Sequence, residues 1–135
     1  MQRNSAIVLP DPASVTTASH TWVVLPAWTF VATVAIRPSR AVPRKLDLSS
    51  TVVGLADTAC GLATRALLPD GAAGFTTIEL KSNFLGTVRE GRIATVATNA
   101  HAGRTTQVWD AVVSEPASGK TIALFRCTQS VLWPR

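Results

Sequence analysis

Asp57 is the residue around which a reaction could be built. It is the single acid of residues 51–68, TVVGLADTACGLATRALL, whose apolar side chains recur as Val52, Leu55, Ala56, Ala59, Leu62, Ala63, Ala66 and Leu67. That i, i+3, i+4, i+7 spacing predicts a helix with one apolar stripe. At about 100° per residue, Asp57 falls nearly opposite the stripe, beside Gly54, Thr58 and Gly61. A carboxylate is by type a general base or nucleophile; the ordinary fate of a lone helix acid is solvent. Glycine in a helix costs roughly 1 kcal/mol per residue against alanine. Two glycines on this face therefore point to something packed close to it, a partner chain or the backbone-hugging part of a ligand.

The other reactive side chains are scattered. Cys60 and Cys127 lack metal-site spacing and a nearby second ligand pair. They read as two buried thiols in a reducing compartment. With only His20 and His101 beside them, no metal centre is readily built. His101 flanks a turn, which suits a structural or ligand-rim role. Glu79 and Asp110 read as ion-paired surface acids, and Trp109 and Trp133 as core or interface aromatics.

The elements that must position these groups follow from composition and punctuation. A chain of 135 residues with 47% hydrophobic and 16% charged residues is one globular domain with a real core. The net charge of +5 is diffuse. Its nearest approach to a cluster, Arg37, Arg40, Arg44 and Lys45, is interrupted by prolines and has no interleaved aromatics. This argues against nucleic-acid binding, though a basic surface also suits a phosphate-bearing substrate. No apolar run is long enough to span a membrane. The apolar stretch Thr21–Ile36 is preceded by twenty mostly polar residues and broken by Pro26, unlike a signal peptide. A cytoplasmic location is expected.

Residues 1–29 read as an irregular arm and 30–135 as the folded domain, whose first strand spans about 28–37. Pro38–Asp47 is a basic loop, and Ser49, Ser50 and Thr51 are candidate helix N-caps. Pro69-Asp70-Gly71 stops the helix. GFTTIELKSNF then alternates, with Ile78, Leu80 and Phe84 on one face and Thr77, Glu79, Lys81 and Asn83 on the other. Strands follow at about 92–101, 104–114 and 121–132, separated by turns at Ala102-Gly103 and Glu115–Lys120. The pattern is α+β: a strand, one long helix and a four-stranded antiparallel meander curling around it.

LADTACG, then TTIELKSNFLGTVREG, HAGRTT and RCTQSVL, in that order and spacing, resemble the hotdog-fold acyl-CoA thioesterases of the phenylacetate-degradation (PaaI-like) type. The resemblance covers residues 30–133 and is strongest from residue 52. It implies a hotdog fold in which the sheet wraps the central helix, a homodimer or dimer of dimers, and hydrolysis of an acyl-CoA at the dimer interface. It implies no cofactor, with CoA entering as part of the substrate.

By the same resemblance Asp57 is the catalytic carboxylate, attacking the thioester or activating a water. Thr77, from the other subunit, orients that water. A backbone amide before the helix polarises the thioester oxygen; in ungapped register it belongs to Ser49 or Ser50. The CoA end falls to Asn83, His101, Gly103, Arg104 and Thr105, with the Arg104 fork suited to phosphate. The chain departs from the family where His-Gly-Gly is replaced by Leu48, Ser49 and Ser50, and where Val42 occupies the place of an upstream Asn or Gln. The departure raises an alternative, a non-catalytic hotdog module that binds acyl-CoA or assembles with partners. A hotdog dehydratase ranks lower, since neither histidine stands where its Asp-His pair requires.

Overall fold

The computed structural model describes residues 21–25, 29–36 and 45–135. Residues 1–20, with His20, and the loop carrying Arg37, Arg40 and Arg44 lie outside the described residues. The elements run β1 (Thr21–Leu25), β2 (Thr29–Ile36), α1 (Lys45–Ala66), β3 (Gly74–Phe84), β4 (Gly91–Ala102), β5 (Thr106–Glu115) and β6 (Lys120–Leu132). β1 falls within the segment read above as an irregular arm, and it pairs with β2 from Thr21↔Thr33 to Leu25↔Thr29.

All pairings are antiparallel, and the strands form one sheet in the order β1-β2-β4-β5-β6-β3. The four-stranded meander is therefore corrected. Strands β4, β5 and β6 are joined by hairpins, but β3 lies beyond β6 and β4 pairs with β2. Adjacent strands need short turns to pair directly. The Leu85–Glu90 link instead crosses the end of the sheet, where the Leu85 and Gly86 amides donate to the Ile122 carbonyl. Among the described strands β3 is thus left as an edge.

The helix starts earlier than its sequence signals suggest. It begins at Lys45, so Ser49, Ser50 and Thr51 lie inside it and are not its N-cap. Leu48, partly buried against the core, carries the apolar stripe back beyond Val52, and the stripe outweighs the local preference of Ser and Thr for caps. The buried face is Val52, Leu55, Ala56, Ala59, Cys60, Ala63 and Thr64. Cys60 and Thr64 join the core, while Leu62 is only partly buried and Ala66 is exposed. Thr64 remains satisfied because its hydroxyl donates to the Cys60 carbonyl at 2.8 Å.

Opposite this face the sheet contributes Ile93, Ala97, Trp109, Val113, Ile122 and Phe125. Trp109 is wholly buried, and its indole N–H donates to Gln107 Oε1 at 3.2 Å. Gln107 Nε2 in turn donates to the Leu67 carbonyl at 2.7 Å, tying the end of the helix to β5. Beyond it the chain reverses at Gly71, whose φ of 82° is open to glycine at little cost. Among the described residues no helix is long and apolar enough to cross a membrane.

Candidate active site

Helix α1 and strand β3 enclose a shallow, open depression of about 320 Å³. The helix contributes Asp57, Thr58, Gly61, Leu62 and Arg65. The strand contributes Phe75 and Thr77. Asp57 Oδ1 is buried and has no hydrogen-bond partner among the described residues. A buried acceptor left unmet costs about 1–3 kcal/mol, so this oxygen is placed to accept a hydrogen bond from a water or a ligand in the depression. Thr58 lies exposed on the same face, with its hydroxyl donating back to the Gly54 carbonyl at 2.7 Å.

Thr77 reaches this side of the sheet because of an irregularity in β3. The pairing register shifts between Thr77 and Glu79, so Thr77 faces Gln129 while Glu79 faces Thr128. Simple alternation puts Thr77 and Glu79 on one face. The extra residue, Ile78, reverses that, since a bulge moves everything after it to the opposite face. The Thr77 hydroxyl donates to Gln129 Oε1 at 2.8 Å. Gln129 is fully buried, and its Nε2 donates to Cys127 Sγ at 3.3 Å. With Nε2 on the sulfur, Oε1 is directed to Thr77, whose oxygen is left to act as an acceptor. Behind this relay the Cys60 thiol meets Cys127. That hydrogen bond, with burial, pushes the Cys60 thiol well above its usual range and holds it protonated. Both cysteines are free and buried, as read from the sequence.

Asp57 and Thr77 of a single chain thus line one depression, whereas the resemblance draws Thr77 from the other subunit. Ser49 and Ser50 do not present free amides at a loop. In a helix starting at Lys45 their N–H groups fall in the internal hydrogen-bond ladder, and the free amides are those of the first turn.

His101, Gly103, Arg104 and Thr105 gather at the β4–β5 hairpin, by the C-terminal end of α1. The Gly103 amide donates to the Thr106 carbonyl at 2.8 Å. A Cβ on Gly103 would lie 2.8 Å from His101 Nε2 and 3.1 Å from that carbonyl, so a side chain here would have to displace the His101 ring and crowd the backbone of the turn. The Arg104 guanidinium stacks on Trp133, 4.8 Å from the ring centre, while the Trp133 indole N–H donates to the Arg104 carbonyl at 3.2 Å. Arg104 is exposed and pairs with no described carboxylate.

Asn83 is elsewhere. It lies on the outer face of the sheet, in a depression of about 250 Å³ shared with Lys81, Asp110 and Arg126. The structure therefore separates Asn83 from Asp57 and from the hairpin. Besides Asp57 and Thr77, the first depression is lined by Thr58, Gly61, Leu62, Arg65 and Phe75, none of which carried a site role in the sequence reading, and Gln129 stands behind it through its bond to Thr77. Gln129 and Phe75 acquire their places through strand pairing, which local spacing does not mark, whereas Arg65, four residues after Gly61 and eight after Asp57, continues the helix face that the spacing defines.

The Thioesterase superfamily model matches residues 50–121, more than half of the chain, and the chain belongs to that family. Over 80 residues the chain is 30% identical to ComA2 of Bacillus subtilis, a protein that carries the name of an esterase. The matched stretch is 59% of this chain and spans 63% of that relative's length. A thioesterase family protein from Silicibacter pomeroyi is 26% identical, with a TM-score of 0.70 and 85% of each chain covered. A Bacillus halodurans protein solved with CoA is 25% identical, with a TM-score of 0.65, covering 76% of this chain and 66% of that one. A Haemophilus influenzae thioesterase is 23% identical, with a TM-score of 0.71, covering 84% and 78%. The fold is the hotdog fold: one helix packed against an antiparallel sheet.

Proposed function

We propose that this protein is an acyl-CoA thioesterase of the PaaI-like type, with Asp57 as its general base or nucleophile. The observation that carries the reading is the pairing, on one depression, of a carboxylate with an unmet oxygen and a threonine committed as an acceptor. A water between them would donate one proton to Asp57 and one hydrogen bond to Thr77, leaving its lone pair directed at the thioester carbonyl. Asp57 takes the proton, the water oxygen bonds to the carbonyl carbon, and the C–S bond breaks. The proton then passes to the departing CoA thiolate. Direct attack by Asp57, with water cleaving the resulting anhydride, is the nucleophilic form of the same assignment. Either route needs a carboxylate and a water, with no cofactor besides the CoA of the substrate.

The oxyanion donor is a backbone amide near the N-terminal end of the partner subunit's α1, where the helix dipole favours developing negative charge. This chain's own first turn ends nine residues before Asp57, about 14 Å away at the rise of an α-helix. Sequence register points to Ser49 or Ser50; the helix start at Lys45 favours the first turn, Lys45–Leu48. Arg104, stacked and without a carboxylate partner among the described residues, suits a CoA phosphate beside His101, Gly103 and Thr105, and the CoA in the Bacillus halodurans relative supports that class of ligand. Asn83 lies on the other face of the sheet and is left out of this site. The edge of β3, unpaired among the described residues, with Ile78 62% exposed on it and Leu85 60% exposed just beyond it, favours a homodimer joined there. Two buried thiols fit a reducing, cytoplasmic setting.

Thiol release from short, medium, long and aromatic acyl-CoA esters tests the proposal. Turnover of at least one ester supports it. The second reading, a non-catalytic module that binds acyl-CoA or assembles with partners, is favoured by the helical Ser49 and Ser50 in place of a glycine-rich loop. It predicts CoA binding with no release from any ester.

A further inference from the structure

We infer that Arg65 is the anion-binding end of the substrate groove. The inference rests on the thioesterase reading above and extends it to what the substrate must carry. The depression is not centred on Asp57. It continues along α1 past Gly61 and Leu62 to Arg65, eight residues on, or about 12 Å at the rise of an α-helix. Its middle is apolar, formed by Leu62 and the Phe75 ring. The missing side chain at Gly61 keeps that passage open, since a Cβ there would stand 3.6 Å from Phe75 Cζ.

The far end is cationic. Arg65 is exposed and makes no ion pair or hydrogen bond with any described residue. A cation in the last turn of a helix is favoured by the dipole on any face, so the dipole alone does not explain why this one borders the depression. A planar, unpaired guanidinium at the end of an apolar passage presents two parallel donors to a carboxylate or phosphate. Two parts of an acyl-CoA could supply that anion: a carboxylate ending the acyl chain, or a phosphate of CoA.

Three thioesters separate these sources: octanoyl-CoA, octanoyl-N-acetylcysteamine, and the N-acetylcysteamine monothioester of suberic acid, whose chain ends in a carboxylate. Arg65→Gln should lower kcat/KM about ten- to a hundredfold for the anion-bearing substrate relative to octanoyl-N-acetylcysteamine, as expected for loss of a charge-assisted contact. The change should lie mainly in KM, and Arg65→Lys should recover part of it. A loss specific to the suberyl ester assigns Arg65 to an acyl carboxylate, and one specific to octanoyl-CoA assigns it to a phosphate. Equal effects on all three overturn the inference while leaving the thioesterase reading intact. If the wild type hydrolyses none of the three but turns over another ester of the panel, the inference falls and the thioesterase reading stands; silence across the whole panel removes both.

Discussion

Gly61→Ala separates substrate passage from chain packing as the reason for the glycine. A Cβ at this position would lie 3.6 Å from Phe75 Cζ and 3.9 Å from Cε2, ordinary van der Waals contact requiring no displacement. Alanine in a helix interior gains roughly 1 kcal/mol over glycine. Partial burial of the new methyl against Phe75 adds a fraction of the ~0.8 kcal/mol of a fully buried methylene. The variant should therefore melt higher, by roughly 3–6 °C for a domain of this size. The same methyl narrows the passage between Asp57 and Arg65, so kcat/KM should fall, more for long or aromatic acyl-CoA esters than for acetyl-CoA. Gly54→Ala is the control. It meets nothing within 4 Å, lies exposed and does not line the depression. It should give the propensity gain, about 1 kcal/mol, with turnover retained. Thermal melts and kinetics on both variants decide the matter. Destabilisation by Gly61→Ala, or an equal loss of activity in Gly54→Ala, would refute the reasoning and assign the small-residue face to packing against another chain.

Gln129→Leu removes the acceptor that holds the Thr77 hydroxyl. It should cost about 1–2 kcal/mol of stability and lower kcat more than it raises KM. In a double-mutant cycle with Thr77→Ala the kinetic losses should be clearly less than additive; full additivity would mean that Gln129 does not act through Thr77. Mixed dimers with Asp57→Ala in one chain and Thr77→Ala in the other should be nearly inactive, because the structure places both residues of one chain on one depression. Retention of about half the wild-type rate would instead place Thr77 at the neighbouring chain's site. On the outer face, Arg126 holds Asp110 in a two-pronged pair at 2.6 and 2.7 Å and draws its carboxyl below the ordinary 3.8. A lowered folded-state value means the stabilisation is present above pH 3.8 and is lost as pH falls through the folded value. Wild type and Asp110→Asn should therefore differ modestly in unfolding midpoint near neutral pH and converge in acid, with added salt shrinking the gap.

Much of this architecture is legible in the sequence because it depends on short-range periodicity. The apolar recurrence from Val52 to Ala63 marks the buried helix face, and Pro69-Asp70-Gly71 marks its stop. Asp57 opposite that stripe is the best sequence-level pointer to the site, and the structure puts it on an open depression. Several features are not legible, each for a physical reason. The helix start is obscured because three consecutive hydroxyl residues imitate an N-cap, while the continuation of the stripe through Leu48 overrides them. The position of β3 beyond β6 depends on which edge a crossing link reaches, which no local pattern encodes. The bulge at Ile78 inverts the alternation of GFTTIELKSNF, and it arises from register against β6. Gln129 looks like an ordinary strand residue until that register sets its amide against Thr77.

The most direct test of the central claim is thiol release by wild type and Asp57→Ala on the best acyl-CoA ester of the panel, with secondary structure and oligomeric state checked in parallel. Loss of a base or nucleophile should lower kcat by at least a hundredfold while the variant stays folded and still binds CoA. A folded Asp57→Ala protein turning over at near the wild-type rate would contradict the account and remove Asp57 from the chemistry.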